Sequence, residues 1–404
     1  MNNNNNNSEQ KDNTLISKPT FNESQEVSTI SNWDELDLHE DILRGIYNYG
    51  FEKPSPIQCK AIKPIIDKFD IIAQAQSGTG KTATFCIGTL ARIDVTKNAT
   101  QAMIMAPTHE LSKQITNVIQ SLSSMMNGIR IQTIIGGGSI NVNAETMNAS
   151  PPHIIVGCPG RIQDLIKRKY INVSSIKIVV LDEADEMLST GFKDQIYNIF
   201  KFFNKHIQIV LFSATLPPHI HDITSRLMHN PVTINVARES LTLEGIKQYY
   251  IAINDDREKY QVLKELYNLI SVSQCIIYCN SVKRVIDLTD AMREDTFPVC
   301  CIHSNMTANE RECAFEEFKS GAARVLISSN VTARGIDIQQ VSVVINFDIP
   351  RDIQTYLHRI GRSGRWGRKG TGINFITRRD IQKIKEIEEY YQCQIDEFPN
   401  NFTT

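Results

Sequence analysis

The sequence predicts an α/β protein made of two tandem domains, each a parallel sheet flanked by helices. Three observations carry this. Short β-branched runs alternate with segments of helical period; the same rhythm restarts after residue 246; and 404 residues, 41% of them hydrophobic and 22% charged, can fill two cores of ordinary size. Alternation of this kind implies a parallel sheet, because parallel neighbours need a long crossover that a helix usually supplies.

The elements follow in chain order. Residues 1–30 are rich in Asn, Ser, Thr and Glu and cannot bury enough apolar surface to offset chain entropy, so a disordered tail is expected. A first domain is expected over 31–237, with strands at "IIAQA", "AMIMA", "IQTII", "HIIVG", "IKIVVL" and "IQIVLFS" and helical stretches such as Leu111–Leu122 between them. A linker is expected over 238–246. The second domain, 247–404, should carry strands at "YYIAI", "CIIYC", "VCCI", "RVLIS", "VVINF" and "GINFI".

Composition excludes several classes. A net charge of -2 argues against a globally basic nucleic-acid binder but leaves room for a local basic stripe. The nine cysteines contain no CxxC pair, which argues against a zinc site or a disulfide framework and fits a reducing cytosol or nucleus. No apolar run approaches the ~18 residues of a membrane span, and "MNNNNNNSEQ" lacks the apolar stretch of a signal peptide, so a soluble chain with no membrane partner is expected.

Chemistry enters with "AQSGTGKT", Ala75 to Thr82, between an apolar run and a helical segment. In that context a glycine-rich turn presents backbone N–H groups to phosphates, so Ser77, Gly78, Thr79 and Gly80 are candidate phosphate ligands. Lys81 would reach the β- and γ-phosphates, and the Thr82 hydroxyl would ligate Mg²⁺. The second signal is "IKIVVLDEADEML", a core strand that ends on Asp182, Glu183 and Asp185. Acids favour helix starts for electrostatic reasons alone. Beside a phosphate-binding turn, however, Asp182 would hold Mg²⁺ and Glu183 would orient and deprotonate an attacking water.

Asp182-Glu183-Ala184-Asp185 spells the signature of the DEAD-box RNA helicases, and the resemblance runs over residues 33–404. It implies two tandem RecA-like domains, ATP with Mg²⁺ as cofactors, and RNA-activated ATP hydrolysis. "GFEKPSPIQ", with Trp33 upstream, is similar to the family's adenine-reading motif, which implies Phe51 stacking on adenine and Gln58 pairing with its edge. "SAT", Ser213 to Thr215, resembles the motif that couples the two domains. "ARGID" and "HRIGRSGR" resemble the last two ATP-side motifs. By resemblance Asp337 binds the ribose, Arg362 and Arg365 act as arginine fingers, and His358 links across to Asp185 and "SAT".

For RNA, the resemblance points to Pro107, Thr108, Gly136, Gly137, Pro159, Gly160, Arg161, Asn280, Arg311 and Ser329. These are mostly backbone groups, hydroxyls and arginines, which suit phosphates and sugars and imply RNA binding without base-sequence preference. Four positions depart from the family pattern, all on the RNA side: His109 for Arg, Cys158 for Thr, Ala308 for Gln and Asn330 for Asp. The expected activity is an ATP-dependent RNA helicase that closes two domains on one strand and unwinds short duplexes locally. The wording of "ILRGIYNYGFEKPSPIQ" and "GRSGRWGRKG" is similar to that of the short eukaryotic members, which implies a cytoplasmic monomer in translation initiation with an initiation-factor scaffold as partner. A nuclear role at exon junctions or in ribosome biogenesis, or an RNA clamp with weak unwinding, stays open at this point.

Overall fold

The computed structural model describes residues 29–75, 78–136, 147, 150–189, 192–204, 206–216, 218–236, 246–269, 274–332, 341–363 and 370–399. Residues 1–28 of the expected N-terminal tail, nearly all of the expected linker, and four candidate site residues, Ser77, Gly137, Asp337 and Arg365, lie outside them, whereas Ile30, expected as the last disordered residue, is buried in the first core and donates its N–H to Cys59 O (3.1 Å).

Two seven-stranded sheets are present, and every recorded strand pair is parallel. The first comprises β1 (Ile71–Gln74), β2 (Ala102–Met105), β3 (Ile131–Ile134), β4 (Ile154–Gly157), β5 (Ile178–Leu181), β6 (Gln208–Ser213) and β7 (Val232–Asn235), in the order β3-β4-β2-β5-β6-β1-β7. The second comprises β8 (Ile246–Ala252), β9 (Cys275–Tyr278), β10 (Val299–Ile302), β11 (Val325–Ser328), β12 (Val343–Asn346), β13 (Gly370–Ile376) and β14 (Asp396–Glu397), in the order β10-β11-β9-β12-β13-β8-β14.

The continuous apolar runs have a simple cause: both faces of each sheet are covered. Ile71 and Ala73 of β1 pack into one core cluster while Ile72 packs into the other, and Ile104 of β2 is separated in the same way from Met103 and Met105. In the second sheet Ile276 and Tyr278 face one cluster, Cys275 and Ile277 the other. A period of two is thus hidden inside an unbroken hydrophobic string.

All twelve expected strands are present, and two more appear. β7 lies near the end of the first domain in a stretch where no strand was expected, and β14 is only two residues long. Ile246, expected as the last linker residue, already pairs with Gly370 as the first residue of β8. Among the described residues no helix is long and apolar enough to cross a membrane.

This topology sets the site. The turn after β1, Ala106 after β2, Cys158 after β4, Asp182 after β5 and Ser213 at the end of β6 all stand at the carboxyl ends of parallel strands, where open α/β sheets bind ligands. Asn280 after β9 and Ser329 after β11 hold the equivalent places in the second sheet.

Candidate nucleotide and RNA site

The phosphate-binding turn is built by backbone conformation. Gly78 and Gly80 have φ of 84° and 99°, in the left-handed region, and Gly80 is the N-cap of the helix Lys81–Leu90. A Cβ on Gly80 would meet Gln58 Nε2 at 2.9 Å and Ser55 Oγ at 3.0 Å, so no larger residue fits this turn without displacing its neighbours. Ala75 N–H donates to Ser213 O (3.1 Å), and Ser55 Oγ donates to Thr79 O (2.8 Å), tying the turn to β6 and to the helix Pro56–Ile66.

Lys81 is 6% exposed and its ammonium makes no hydrogen bond among the described residues; the nearest recorded charge is Glu183 Oε1 at 3.7 Å. A buried ammonium in that state suits a phosphate oxygen, which would supply the partner it lacks. Asp182 is 3% exposed, and burial first, then the neighbouring Glu183, pushes its carboxyl up to about 7. Its Oδ1 accepts the Glu183 N–H at 3.0 Å. Glu183 has φ of 53°, a left-handed conformation that costs a non-glycine residue ~1–3 kcal/mol and that active sites commonly retain.

Hard oxygen donors are what Mg²⁺ requires, and the Thr82 hydroxyl and the Asp182 carboxylate fit that requirement beside a phosphate cradle. A divalent ion there would offset the like charges of Asp182 and Glu183, whose mutual repulsion is part of what raises Asp182.

The coupling residues form a continuous buried network. Asp185 N–H donates to Ser213 Oγ (3.2 Å), Ser213 Oγ donates to Thr215 O (2.6 Å), and Thr215 Oγ1 donates to Asp185 Oδ2 (2.7 Å). His358 Nε2 reaches the same Asp185 oxygen from the second sheet's side at 3.1 Å. Arg362 is 2% exposed and its Nε donates to His358 O (3.1 Å).

Several expectations need correction. Trp33 is fully buried and donates its indole N–H to Phe51 O (3.1 Å), with ring centroids 6.3 Å apart; it can only support Phe51, not meet a nucleotide itself. Gln58 is 2% exposed, and its Oε1 accepts the Ser55 N–H (2.7 Å) as half of a capping box, so the bidentate adenine pair is not made in this rotamer. Asn280 is turned inward: its Nδ2 donates to Ile349 O (2.7 Å) and its Oδ1 accepts from Arg359 (2.8 Å), which removes its side chain from the exposed RNA contacts. Arg311 donates to Glu110 Oε1 (3.1 Å) across the cleft, with Lys113 and Glu312 paired beside it at 2.6 Å, so its charge is already engaged. For Trp33, Asn280 and Arg311 a partner distant in sequence decided the side chain's use; for Gln58 it was the local Ser55 capping box.

The remaining RNA-side candidates lie on the first sheet, except Ser329, which follows β11 of the second. Thr108 caps the helix His109–Leu122, its Oγ1 accepting from Leu111 N (3.2 Å), and the buried Pro107 precedes it. His109 Nε2 accepts the Gly136 N–H (3.2 Å), and burial lowers the ring's pKa, so it is a neutral side chain where an arginine would carry charge. Cys158 precedes Pro159, Gly160 and Arg161 at the start of the helix Pro159–Lys167; burial pushes its thiol up to about 11, and it contacts Ser112 Oγ at 3.6 Å. Ser329 follows β11, beside the exposed Asn330.

One buried group carried no role in the sequence reading. Arg359 is fully buried and its guanidinium contacts three asparagines, a carbonyl and the Tyr278 ring. It lies within the quoted "HRIGRSGR", but the sequence assigned roles there only to His358, Arg362 and Arg365.

Comparison with known proteins agrees with this geometry. Residues 55–223 match the family described as DEAD/DEAH box helicase, and residues 258–367 match the helicase conserved C-terminal domain. The chain is 50% identical over 372 residues to eukaryotic initiation factor 4A of Caenorhabditis elegans, covering 92% of each. It is 48% identical over 377 residues to the ATP-dependent RNA helicase eIF4A of Lodderomyces elongisporus, covering 93% of this chain and 94% of that one. Among solved structures, S. cerevisiae Dbp5 bound to RNA and ADP BeF3 is similar at a TM-score of 0.86 and 35% identity, covering 92% of this chain and 96% of that one. Mss116p bound to ssRNA and AMP-PNP is similar at a TM-score of 0.84 and 25% identity, covering 93% and 81% respectively.

Proposed function

The chain belongs to the DEAD/DEAH box helicases and is an ATP-dependent RNA helicase of the initiation factor 4A type, and from that premise we propose that it couples Mg²⁺-dependent ATP hydrolysis to closure of its two sheets on single-stranded RNA, with local unwinding of short duplexes. The observation that carries this is the Asp185 network: Ser213, Thr215 and His358 converge on one buried carboxylate two residues from Glu183, so the second sheet is bonded to the acidic motif itself.

In this reading Lys81 binds the terminal phosphates, Thr82 and Asp182 hold Mg²⁺, and Glu183 positions water and takes its proton. The metal ion would polarise the phosphate oxygens. Arg362 would reach the γ-phosphate from the second domain, joined by Arg365. The proposed domains are 31–237 and 246–404, Ile246 belonging to the second through its pairing with Gly370. Translation initiation in the cytoplasm, as a monomer working with an initiation-factor scaffold, is proposed from the names of the relatives. Ternary strand-displacement assays test the activity: ATP with Mg²⁺ should release a short RNA duplex, and no release in the presence of hydrolysis would leave the RNA-clamp reading instead.

Nucleotide choice is a second test. We expect kcat/KM for ATP to exceed that for GTP by roughly 5- to 150-fold, from ~1–3 kcal/mol for an unmatched buried polar group, provided Gln58 leaves its cap to meet adenine. Equal values would remove Gln58 from the nucleotide site and leave it as the cap seen beside Gly80.

The RNA-side departures give a third. Neutral His109 and the weakly donating thiol of Cys158 should weaken RNA coupling. The combined substitution His109→Arg, Cys158→Thr, Ala308→Gln and Asn330→Asp is expected to lower the RNA concentration for half-maximal ATPase at least about tenfold, a gain of ~1–2 kcal/mol per restored bond. An unchanged concentration at two salt levels would mean that phosphate-backbone contacts absorb these changes.

A further inference from the structure

His109 and Gly136 stand on either side of the middle turn of the RNA-side candidates. The strand order β3-β4-β2 puts the turn after β4, with Cys158 to Arg161, between the turn after β2, which leads into His109, and the turn after β3, which holds Gly136. The imidazole spans them: its Nε2 accepts the Gly136 N–H at 3.2 Å. A Cβ on Gly136 would lie 3.3 Å from Nε2 and 3.4 Å from Cε1, so the ring edge rests directly on the glycine backbone. Both residues are only half-buried, which leaves this bond within reach of a ligand.

We propose that His109 is a positioning residue that closes the Gly136 N–H against RNA while its ring is neutral and hands that N–H to an RNA phosphate when the ring takes up a proton, so that RNA is held more tightly as pH falls. The inference deepens the reading of the chain as an RNA-binding ATPase and rests on it.

An imidazole nitrogen accepts a hydrogen bond only while it carries no proton. With Nε2 accepting, the proton of the neutral ring sits on Nδ1, which is buried and has no hydrogen-bond partner among the described residues. A proton taken from solvent at Nε2 makes both nitrogens donors, breaks the bond to Gly136 and gives the ring a full positive charge. The freed N–H and the imidazolium both suit a phosphate oxygen. Arginine, which the family carries at this position, has five donors and no acceptor, so it could not close the glycine in this way.

The charges that face the ring set the direction of the effect. Burial lowers its pKa most; Glu110 of its own helix opposes this, while Arg311 of the helix Ala308–Lys319, Lys113 of its own helix and Arg161 of the helix Pro159–Lys167 lower it further. Glu110 is itself paired with Arg311 (3.1 Å), and Lys113 with Glu312 (2.6 Å). The ring is therefore neutral at neutral pH. A phosphate beside it adds an anion and raises its pKa, so RNA binds with uptake of a proton. Affinity then rises as pH falls from above the pKa of the RNA-bound ring to below that of the free ring.

The test is the dissociation constant of a fluorescein-labelled single-stranded oligouridylate, read by anisotropy with a non-hydrolysable ATP analogue at constant ionic strength, from about pH 8 to about pH 5.5, where histidine titrates. The unsubstituted protein is expected to bind at least about threefold more tightly at the acid end, within the limit of about tenfold per pH unit that one proton allows. His109→Gln keeps an acceptor for Gly136 but cannot titrate, and His109→Arg offers no acceptor. Both are expected to flatten the profile, the first at weak binding and the second at tight binding. Groups at the ATP side, such as Asp182, titrate in the variants as in the unsubstituted protein, so the difference between profiles decides. A slope in His109→Gln equal to that of the unsubstituted protein overturns the proposal. The His109 nitrogen chemical shifts in protein carrying isotope-labelled histidine need no substitution: at about pH 7.5 Nε2 is expected bare and Nδ1 protonated, and a proton on Nε2 there also overturns the proposal. A protein that binds no RNA at any pH overturns the functional reading and this proposal together, whereas RNA binding of constant affinity across the range overturns the proposal alone.

Discussion

Glu183→Gln is expected to bind ATP at least as well as the unsubstituted protein and to hydrolyse it about 10²–10⁴-fold more slowly, the usual loss when a general base is removed. The binding half of the expectation follows from Lys81. Its buried ammonium has the Glu183 carboxylate at 3.7 Å as its nearest recorded countercharge, with Asp182 also within its field. Replacing that carboxylate with an amide removes the nearest countercharge and leaves more of the ammonium's field to the incoming phosphate, so nucleotide affinity should hold or rise. Lys81→Ala should lose affinity and turnover together, because there the missing group touches phosphate. Nucleotide binding by fluorescence titration and phosphate release in a single turnover separate the two variants. Rapid release by Glu183→Gln would move the base elsewhere and leave the left-handed backbone at Glu183 without a catalytic explanation.

Arg362→Ala is expected to lower RNA-saturated turnover by about 10³-fold or more, the range in which arginine fingers act, while RNA-free ATP affinity changes little. Its charge matters only once the second domain faces the phosphate, so the loss should fall on kcat. A packing effect must be separated from this, since Arg362 is buried and its Nε holds the His358 carbonyl at 3.1 Å. Arg362→Lys keeps a charge and part of the volume but loses the planar fork. If the lysine variant restores most of the turnover, point charge suffices; if both variants keep normal kcat and only melt earlier, Arg362 leaves the catalytic set.

The parts of this protein that were legible in the sequence share a physical property: each is fixed by neighbours along the chain. The strands of both sheets announced themselves because a strand covered on two faces must be apolar throughout, and "IIAQA" or "CIIYC" can satisfy that only in such a place. The phosphate turn was legible because Gly78 and Gly80 take backbone angles that few other residues tolerate. β7 and β14 were missed because one begins and ends on half-buried or exposed residues and the other is two residues long, so neither carries the signal of a doubly covered strand.

Residue by residue, the sequence by itself determined the two-sheet α/β plan, the carboxyl-end placement of Lys81, Asp182 and Glu183, and membership of a helicase family. Tertiary structure alone decided which way a polar side chain faces. Asn280 points to a guanidinium 79 residues away, and Arg311 to a carboxylate 201 residues away. A buried donor must find an acceptor, but the acceptor it finds is set by the register of strands that meet only after folding, and no local pattern of residues encodes that distance.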